Sequence, residues 1–384
     1  MTEATTNADL VVVGAGFYGA TIAERASAAG LKILVLDRRS HIGGNAYSSP
    51  EPATGIEIHR YGPHFFHTSN EAVWAYLHRF TEFTDFELRV WTTHRGEVFP
   101  LPINLATICQ FFGRSMTPAE ARTLVASQAA EVTAEPTNLE DKAIASIGRP
   151  LYEAFIKNYT HKQWQTDPRD LPPSIIARLP VRYTFDNRYF SDRFQGLPVE
   201  GYTRVFEKML GHPNIQVRLT TDWLHVREQL PSKALVVYTG PIDEYFDYSE
   251  GRLGWRTTRF ETEIAAVGDV QGTAMMNHAD LDVPHTRVAE YRHFYPERAY
   301  PLDRSVIVRE YPRFAGPGDE PFYPIGTAED RARYGRYKAR ADAEPDVIFG
   351  GRLGTYTYLD MHQAIALALR DWKQIATRLG VQGA

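Results

Sequence analysis

Three kinds of residue in this 384-residue chain are placed to do chemistry. The first is glycine. Gly14, Gly16 and Gly19 form a Gly-x-Gly-x-x-Gly directly after the apolar run Leu10-Val11-Val12-Val13. Gly14 permits a tight turn, Gly16 lets backbone approach a pyrophosphate, and Gly19 lets a helix pack close to a strand. The second is an acid, Asp37, which closes the next apolar run, Ile33-Leu34-Val35-Leu36, and can accept hydrogen bonds from a ribose. The third is a scattered set of cations, Arg178, Arg256 and Arg287, whose planar forks suit diphosphates.

The elements that must position them follow from periodicity. Ile22, Ala23, Ala26 and Ala29 continue the glycine turn as a helix that Gly30 ends, so strand, helix and strand make a dinucleotide-binding unit whose helix N-terminus faces the phosphates. Gly43 and Gly44 follow Asp37 closely and mark a second approach of bare backbone to a ligand, which favours FAD over a nicotinamide. The same pattern resumes with a helix from Tyr202 to Leu210 and a strand from Ile215 to Leu219, with Asp222 and Trp223 just beyond. A buried run then ends on Thr239-Gly240. Near the C-terminus come Gly350-Gly351-Arg352 and a capping box from Asp360 to Gln363 that opens the last helix. The spacing therefore predicts an α/β chain with a discontinuous Rossmann-type FAD domain built from residues 1–80, 201–245 and 320–384.

Between these parts two other patterns appear. Residues 81–180 read as a mainly helical insertion, with a capping box at Thr117 to Glu120 and an aromatic face of Tyr152, Phe155 and Tyr159. Its end, Tyr159-Thr160-His161-Lys162-Gln163-Trp164, offers rings and a hydroxyl that could cradle a base or a sugar. A proline-rich loop then carries Arg178. Residues 181–200 and 246–319 read as an antiparallel sheet, Val181 to Phe194 alternating as strands and Trp255 to Tyr311 carrying Arg256, Asn277 and Arg287. His64 and His67 are three apart, but no cysteine or acid cluster lies near in sequence, so the reading is a loop against a flavin or a buried structural histidine rather than a metal site.

A net charge of -5 argues against nucleic acid, and the single Cys109 rules out an intrachain disulfide framework. The first residues lack a signal-peptide pattern, and no apolar run approaches the ~18 residues of a membrane span; the expectation is a soluble, cytoplasmic protein. From the residues alone, a flavoprotein with a substrate-facing sheet is expected. An oxidoreductase of the amine-oxidase type and a non-catalytic nucleotide-sugar binder remain open.

Colinear motifs then carry a resemblance over essentially the whole chain: His41-Ile42-Gly43-Gly44-Asn45-Ala46-Tyr47, Tyr61-Gly62-Pro63-His64-Phe65-Phe66-His67-Thr68, Tyr159 to Trp164, Arg178-Leu179-Pro180-Val181-Arg182, Phe185 to Phe190, Tyr238 to Asp243 and Phe349 to Arg352. The chain resembles the bacterial UDP-galactopyranose mutase family. The resemblance implies an isomerase that interconverts UDP-galactopyranose and UDP-galactofuranose without net redox change, in which N5 of reduced FAD attacks the anomeric carbon and a flavin iminium allows ring opening and reclosure. It implies a homodimer as well. By position, Arg178 and Arg287 match the arginines on the diphosphate, Arg178 on a closing loop, and Tyr189, Tyr323 and Tyr358 match its tyrosines. Phe155, Tyr159, Thr160 and Trp164 match the uridine and sugar pocket, with Arg256 and Asn277 on its sheet. His64 and Arg352 match residues beside the flavin. The expected cofactor set is Gly14, Gly16, Phe17, Gly19, Asp37, Arg38, Gly44, Asn45, His64, Phe65, Asp222, Trp223, Thr239, Gly240, Arg352, Leu359, Asp360 and Met361. His161, Thr357 and Leu88 depart from the family pattern.

Overall fold

The computed structural model describes residues 8–176, 181–229 and 234–381. Two sheets organise it. The first has five strands in the order Val347–Phe349, Leu235–Tyr238, Leu10–Val13, Ile33–Leu36 and Ile215–Arg218, all parallel. Leu10, Val12, Leu34, Val35 and Leu36 are fully buried, as near-continuous aliphatic runs require when helices cover both faces. Helix Phe17–Ala28 crosses one face and packs along the C-terminal helix Met361–Arg378, where the Tyr18 hydroxyl donates to Asp371 Oδ2 at 2.8 Å. The expected capping boxes at Thr117–Glu120 and Asp360–Gln363 both form.

The second sheet has seven strands, ordered Tyr323–Pro324, Trp255–Ala265, Ser305–Phe314, Arg287–Glu290, Met275–His278, Val90–His94 and Glu97–Leu101. It corrects the sequence reading in three ways. Two of its strands come from the stretch read as mainly helical. Met275–His278 and Val90–His94 run parallel, so the sheet is mixed. Residues 181–193 form no named strand, only an isolated antiparallel bridge of Arg188 with Arg89, and Phe194–Gly196 pairs with Phe66–Thr68 rather than with this sheet. The aromatic alternation of Tyr183, Phe185, Tyr189 and Phe190 reflects an irregular cover in which Phe185 stays exposed while Phe190 stacks on His67. Alternation alone cannot tell a strand from an extended cover that lacks a partner edge.

The helices Leu105–Phe111, Pro118–Ala129, Leu139–Ile147 and Asn158–Trp164 enclose their own core. Tyr152–Lys157 runs as a π-helical stretch immediately before the last of these. The wider turn breaks the single aromatic face expected for Tyr152, Phe155 and Tyr159. Tyr152 and Phe155 point into the helical core, where Phe155 meets Phe99, Phe111 and His94 edge to face, while Tyr159 emerges on the opposite cleft. The expected substrate role of Phe155 is therefore replaced by a packing role. Among the described residues no helix is long and apolar enough to cross a membrane.

Phe155 is 2% exposed, so Phe155→Ala is expected to destabilise the chain by about 3–5 kcal/mol. Urea unfolding checks this; a loss below about 1 kcal/mol would return Phe155 to a binding role.

Candidate active site

Two clefts meet at the C-terminal ends of the parallel strands. The first is built on the glycine turn. Gly14 adopts φ +104°, and a Cβ there would stand 2.0 Å from Thr239 Oγ1, which itself donates to the Val13 carbonyl at 2.6 Å. A Cβ on Gly19 would meet the Gly14 carbonyl at 2.0 Å, and one on Gly44 would meet the Gly16 Cα at 3.1 Å. The three glycines and Gly44 thus leave a groove of bare backbone at a helix N-terminus, the shape a pyrophosphate needs. Asp37 closes its strand as expected; its carboxylate accepts the Ala15 and Arg39 amides at 2.8 and 2.9 Å. Phe17, Arg38, Asn45, Asp222, Trp223, Thr239, Gly240, Leu359 and Met361 line the same groove. Arg38 reaches Glu244 and Glu320 at 3.4 and 3.0 Å, so it serves as a wall held by carboxylates.

The second cleft lies over the seven-stranded sheet. Asn277 and Arg287 are cross-strand partners on its floor, and Arg287 stands opposite Glu310 on the other side. Arg287 Nε donates to Glu310 Oε2 at 2.7 Å, and Glu310 is 3% exposed. That bond orients the fork while the guanidinium's other four N–H donors take no part in it. Tyr159, Tyr189, Tyr323 and Tyr358 line the same cleft. Burial pushes the Tyr159 phenol up to about 12 and raises Tyr189 and Tyr358 as well, so all three are neutral donors near pH 7. Tyr323 and Tyr358 stack at 5.6 Å, and Arg352 lies over both rings at 5.2 and 5.1 Å. Arg352 also donates to the Phe322 carbonyl at 3.0 Å and to that of Leu359, which ties the two ring-bearing segments together.

Asn45, His64, Arg352 and Met361 line both clefts, so they form the shared wall. The His64 ring is set by its neighbours. Nδ1 lies 2.7 Å from the Gly62 carbonyl, which can only accept, so Nδ1 carries the proton. Burial holds the imidazole down at about 4, which leaves it neutral with Nε2 as an acceptor. The His64 amide donates to His59 Nδ1 at 3.0 Å, and His59 sits among the rings of Tyr202, Tyr291 and Phe294.

Several expected site residues fall elsewhere. Phe65 and Asp360, expected beside the cofactor, line the second cleft. Trp164 packs on the helical core, and Thr160 is buried. Arg256 lies beyond Thr258 under the helix end, where Gln165 Oε1 and the Gln163 carbonyl accept from it at 3.0 and 2.9 Å. It joins sheet to helix and is not part of the cleft floor. Arg178 lies outside the described residues. His67 does not associate with His64 as a pair; it bonds Asp192 at 2.7 Å, and its ring lies within 4.8 Å of polar side-chain atoms of Asp360 and His362. The sequence reading missed Glu310. Its signal was a lone acid on the inward phase of Val306, Val308 and Glu310.

A family model described as UDP-galactopyranose mutase matches residues 154–358, and one described as an NAD(P)-binding Rossmann-like domain matches residues 12–80. The chain is 44% identical to a probable UDP-galactopyranose mutase of Klebsiella pneumoniae, over 95% of this chain and 94% of that one. It is 38% identical to a dTDP-fucopyranose mutase of Escherichia coli, over 94% and 96%. A crystal structure of reduced UDP-galactopyranose mutase shares the fold with TM-score 0.70 at 13% identity, over 98% of this chain and 95% of that one. Bare-backbone groove, cationic tyrosine-lined cleft and near full-length similarity agree, and the chain belongs to the UDP-galactopyranose mutase family.

Proposed function

We propose that this enzyme interconverts UDP-galactopyranose and UDP-galactofuranose with FAD held in the reduced state. The observation that carries the reading is the shared wall: a dinucleotide groove opens, past His64, Arg352 and Met361, directly into a cleft built around Arg287 and four tyrosines. The groove fits FAD because Gly14, Gly16 and Gly44 leave bare backbone for the pyrophosphate and Asp37 stands where an adenosine ribose would lie. Bound and reduced, the flavin supplies the nucleophile for the anomeric carbon. Substrate and product are isomers, so no electrons are gained or lost overall.

The remaining work belongs to this chain. Arg287 holds the diphosphate and stabilises the charge that grows on it as the anomeric carbon–oxygen bond breaks. Tyr189, Tyr323 and Tyr358 donate to the same oxygens, and Tyr159 and Asn277 border the sugar. Arg178, which lies outside the described residues, adds a second cation by the family resemblance. His64, neutral and anchored at Nδ1, offers Nε2 as a hydrogen-bond acceptor to the flavin edge and leaves no charge there. The family resemblance brings a homodimer with it, which light scattering of the purified holoenzyme tests.

Dithionite-reduced protein is expected to convert UDP-galactofuranose to UDP-galactopyranose, and oxidised protein to convert none; chromatography of the nucleotide sugars reads both. Absence of conversion by the reduced protein overturns the assignment, and stoichiometric oxygen uptake with an amine would favour an oxidase instead. Arg287→Ala should lower kcat/KM by about 100-fold or more with flavin content unchanged. Near-normal turnover by that variant would remove Arg287 from the diphosphate site.

The buried histidines set a pH dependence. An unfolded histidine takes up its proton near pH 6.5, whereas folded His64 stays neutral down to about 4. The unfolded chain therefore binds more protons between these limits, and stability present above pH 6.5 is lost as pH falls towards 4. His64→Gln should flatten that loss by up to roughly 1.4 kcal/mol per pH unit, measured from urea unfolding at pH 7 to 4.5. An unchanged slope would show that His64 is not held neutral.

A further inference from the structure

We infer that the sugar subsite accepts nucleotide-linked 6-deoxyhexopyranoses, with the C6 methyl against an apolar corner formed by Phe65, Leu88, Val90 and Met275. The inference rests on the mutase reading above and concerns the part of the second cleft which that reading leaves without a task.

The strand register defines the corner. Met275 and Asn277 lie on the same face of one strand, and the backbone partner of Met275 is Val90. Leu88 sits two residues before Val90, so it faces the same way. Leu88, Val90 and Met275 are 4%, 5% and 2% exposed and belong to one core cluster, against which Phe65 packs. Phe65 is held in turn by Phe86, stacked at 5.5 Å, and by Phe294. All four corner residues line the cleft, and none of their side chains carries a hydrogen-bond donor or a strong acceptor.

Distance along the strand then assigns the ends of the substrate. Asn277 stands opposite Arg287, at the diphosphate end. Two residues further, about 7 Å along the strand, the floor changes from amide and guanidinium to thioether and aliphatic. A hexose linked to a diphosphate on Arg287 extends over this boundary. A hydroxymethyl group set there would lose water and find no side-chain partner in the corner, whereas a methyl group would fill it. Pockets of the two kinds discriminate very differently. A site that hydrogen-bonds a hydroxyl rejects the analogue lacking it by about ten-thousandfold or more, while an apolar pocket separates the two by about a hundredfold at most.

The test compares UDP-galactopyranose with UDP-6-deoxygalactopyranose, which keeps the nucleotide constant, using dithionite-reduced holoenzyme and chromatographic detection of the furanose. The expected kcat/KM for the 6-deoxy compound is at least one-tenth of that for the galactose compound. A lower ratio overturns the inference. Leu88→Asn is expected to lower the ratio at least tenfold, and the near-isosteric Val90→Thr to lower it in the same direction should the first variant fail to fold. An unchanged ratio in the folded variant overturns the inference too. Conversion of UDP-galactopyranose alone overturns only this subsite assignment, whereas conversion of neither sugar overturns the mutase reading along with it.

Discussion

A guanidinium set into the floor of a cleft must be held by one carboxylate without being consumed by it. Arg287 and Glu310 meet that constraint because they are direct partners on adjacent antiparallel strands, with Nε 2.7 Å from Oε2. Glu310 lies beneath the surface, so it fixes the arginine from below. A buried ion pair of this kind contributes little net stability and would be costly to break from one side. It does, however, set the direction of a cation. The four tyrosines and Arg352, which lies over Tyr323 and Tyr358, line the cleft that this cation floors.

The second constraint is close approach of backbone. Gly19 lies against the Gly14 carbonyl at a separation that leaves no room for a Cβ, and a Cβ on Gly44 would press on the Gly16 backbone. The parallel sheet delivers these turns at one edge, as open α/β sheets do at the carboxyl ends of their strands. The mixed sheet delivers Arg287 and Asn277 from the other side. His64 stands between, neutral because its surroundings exclude water and its Nδ1 proton is committed to Gly62. A charged imidazole at that junction would alter the field felt by both clefts.

Where the local pattern had one physical solution, sequence reading succeeded. The helix from Tyr202 to Leu210, the caps at Thr117 and Asp360, and the buried run leading into Thr239-Gly240 all form as expected. It failed where partner choice decides the outcome. Residues 181–193 alternate like a strand yet have no continuous edge to join, while Val90–His94 and Glu97–Leu101 join a sheet whose other strands lie more than a hundred residues away. Spacing put Phe155 and Tyr159 on one aromatic face, and the resemblance gave both to the sugar pocket; the π-helical stretch, a backbone feature that no side-chain spacing announces, separated them.

Taken by itself, the sequence determined the cofactor-binding grammar. Glycines at Gly14, Gly16, Gly19, Gly43 and Gly44, an acid at Asp37 and the strand-helix periodicity around them act through neighbours within tens of residues, so their meaning is local. The same is true of the motifs that carry the family resemblance. Only the tertiary structure decided which cations face the cleft and which serve as struts. Arg256 and Arg287 look alike on a sheet read as sequence, but one is capped by Gln163 and Gln165 while the other is propped by Glu310. The apolar corner of Phe65, Leu88, Val90 and Met275 was likewise invisible, because two strands nearly two hundred residues apart must pair before their side chains share a wall. Long-range register is fixed by burial summed over a whole sheet, and no window of the chain contains that sum.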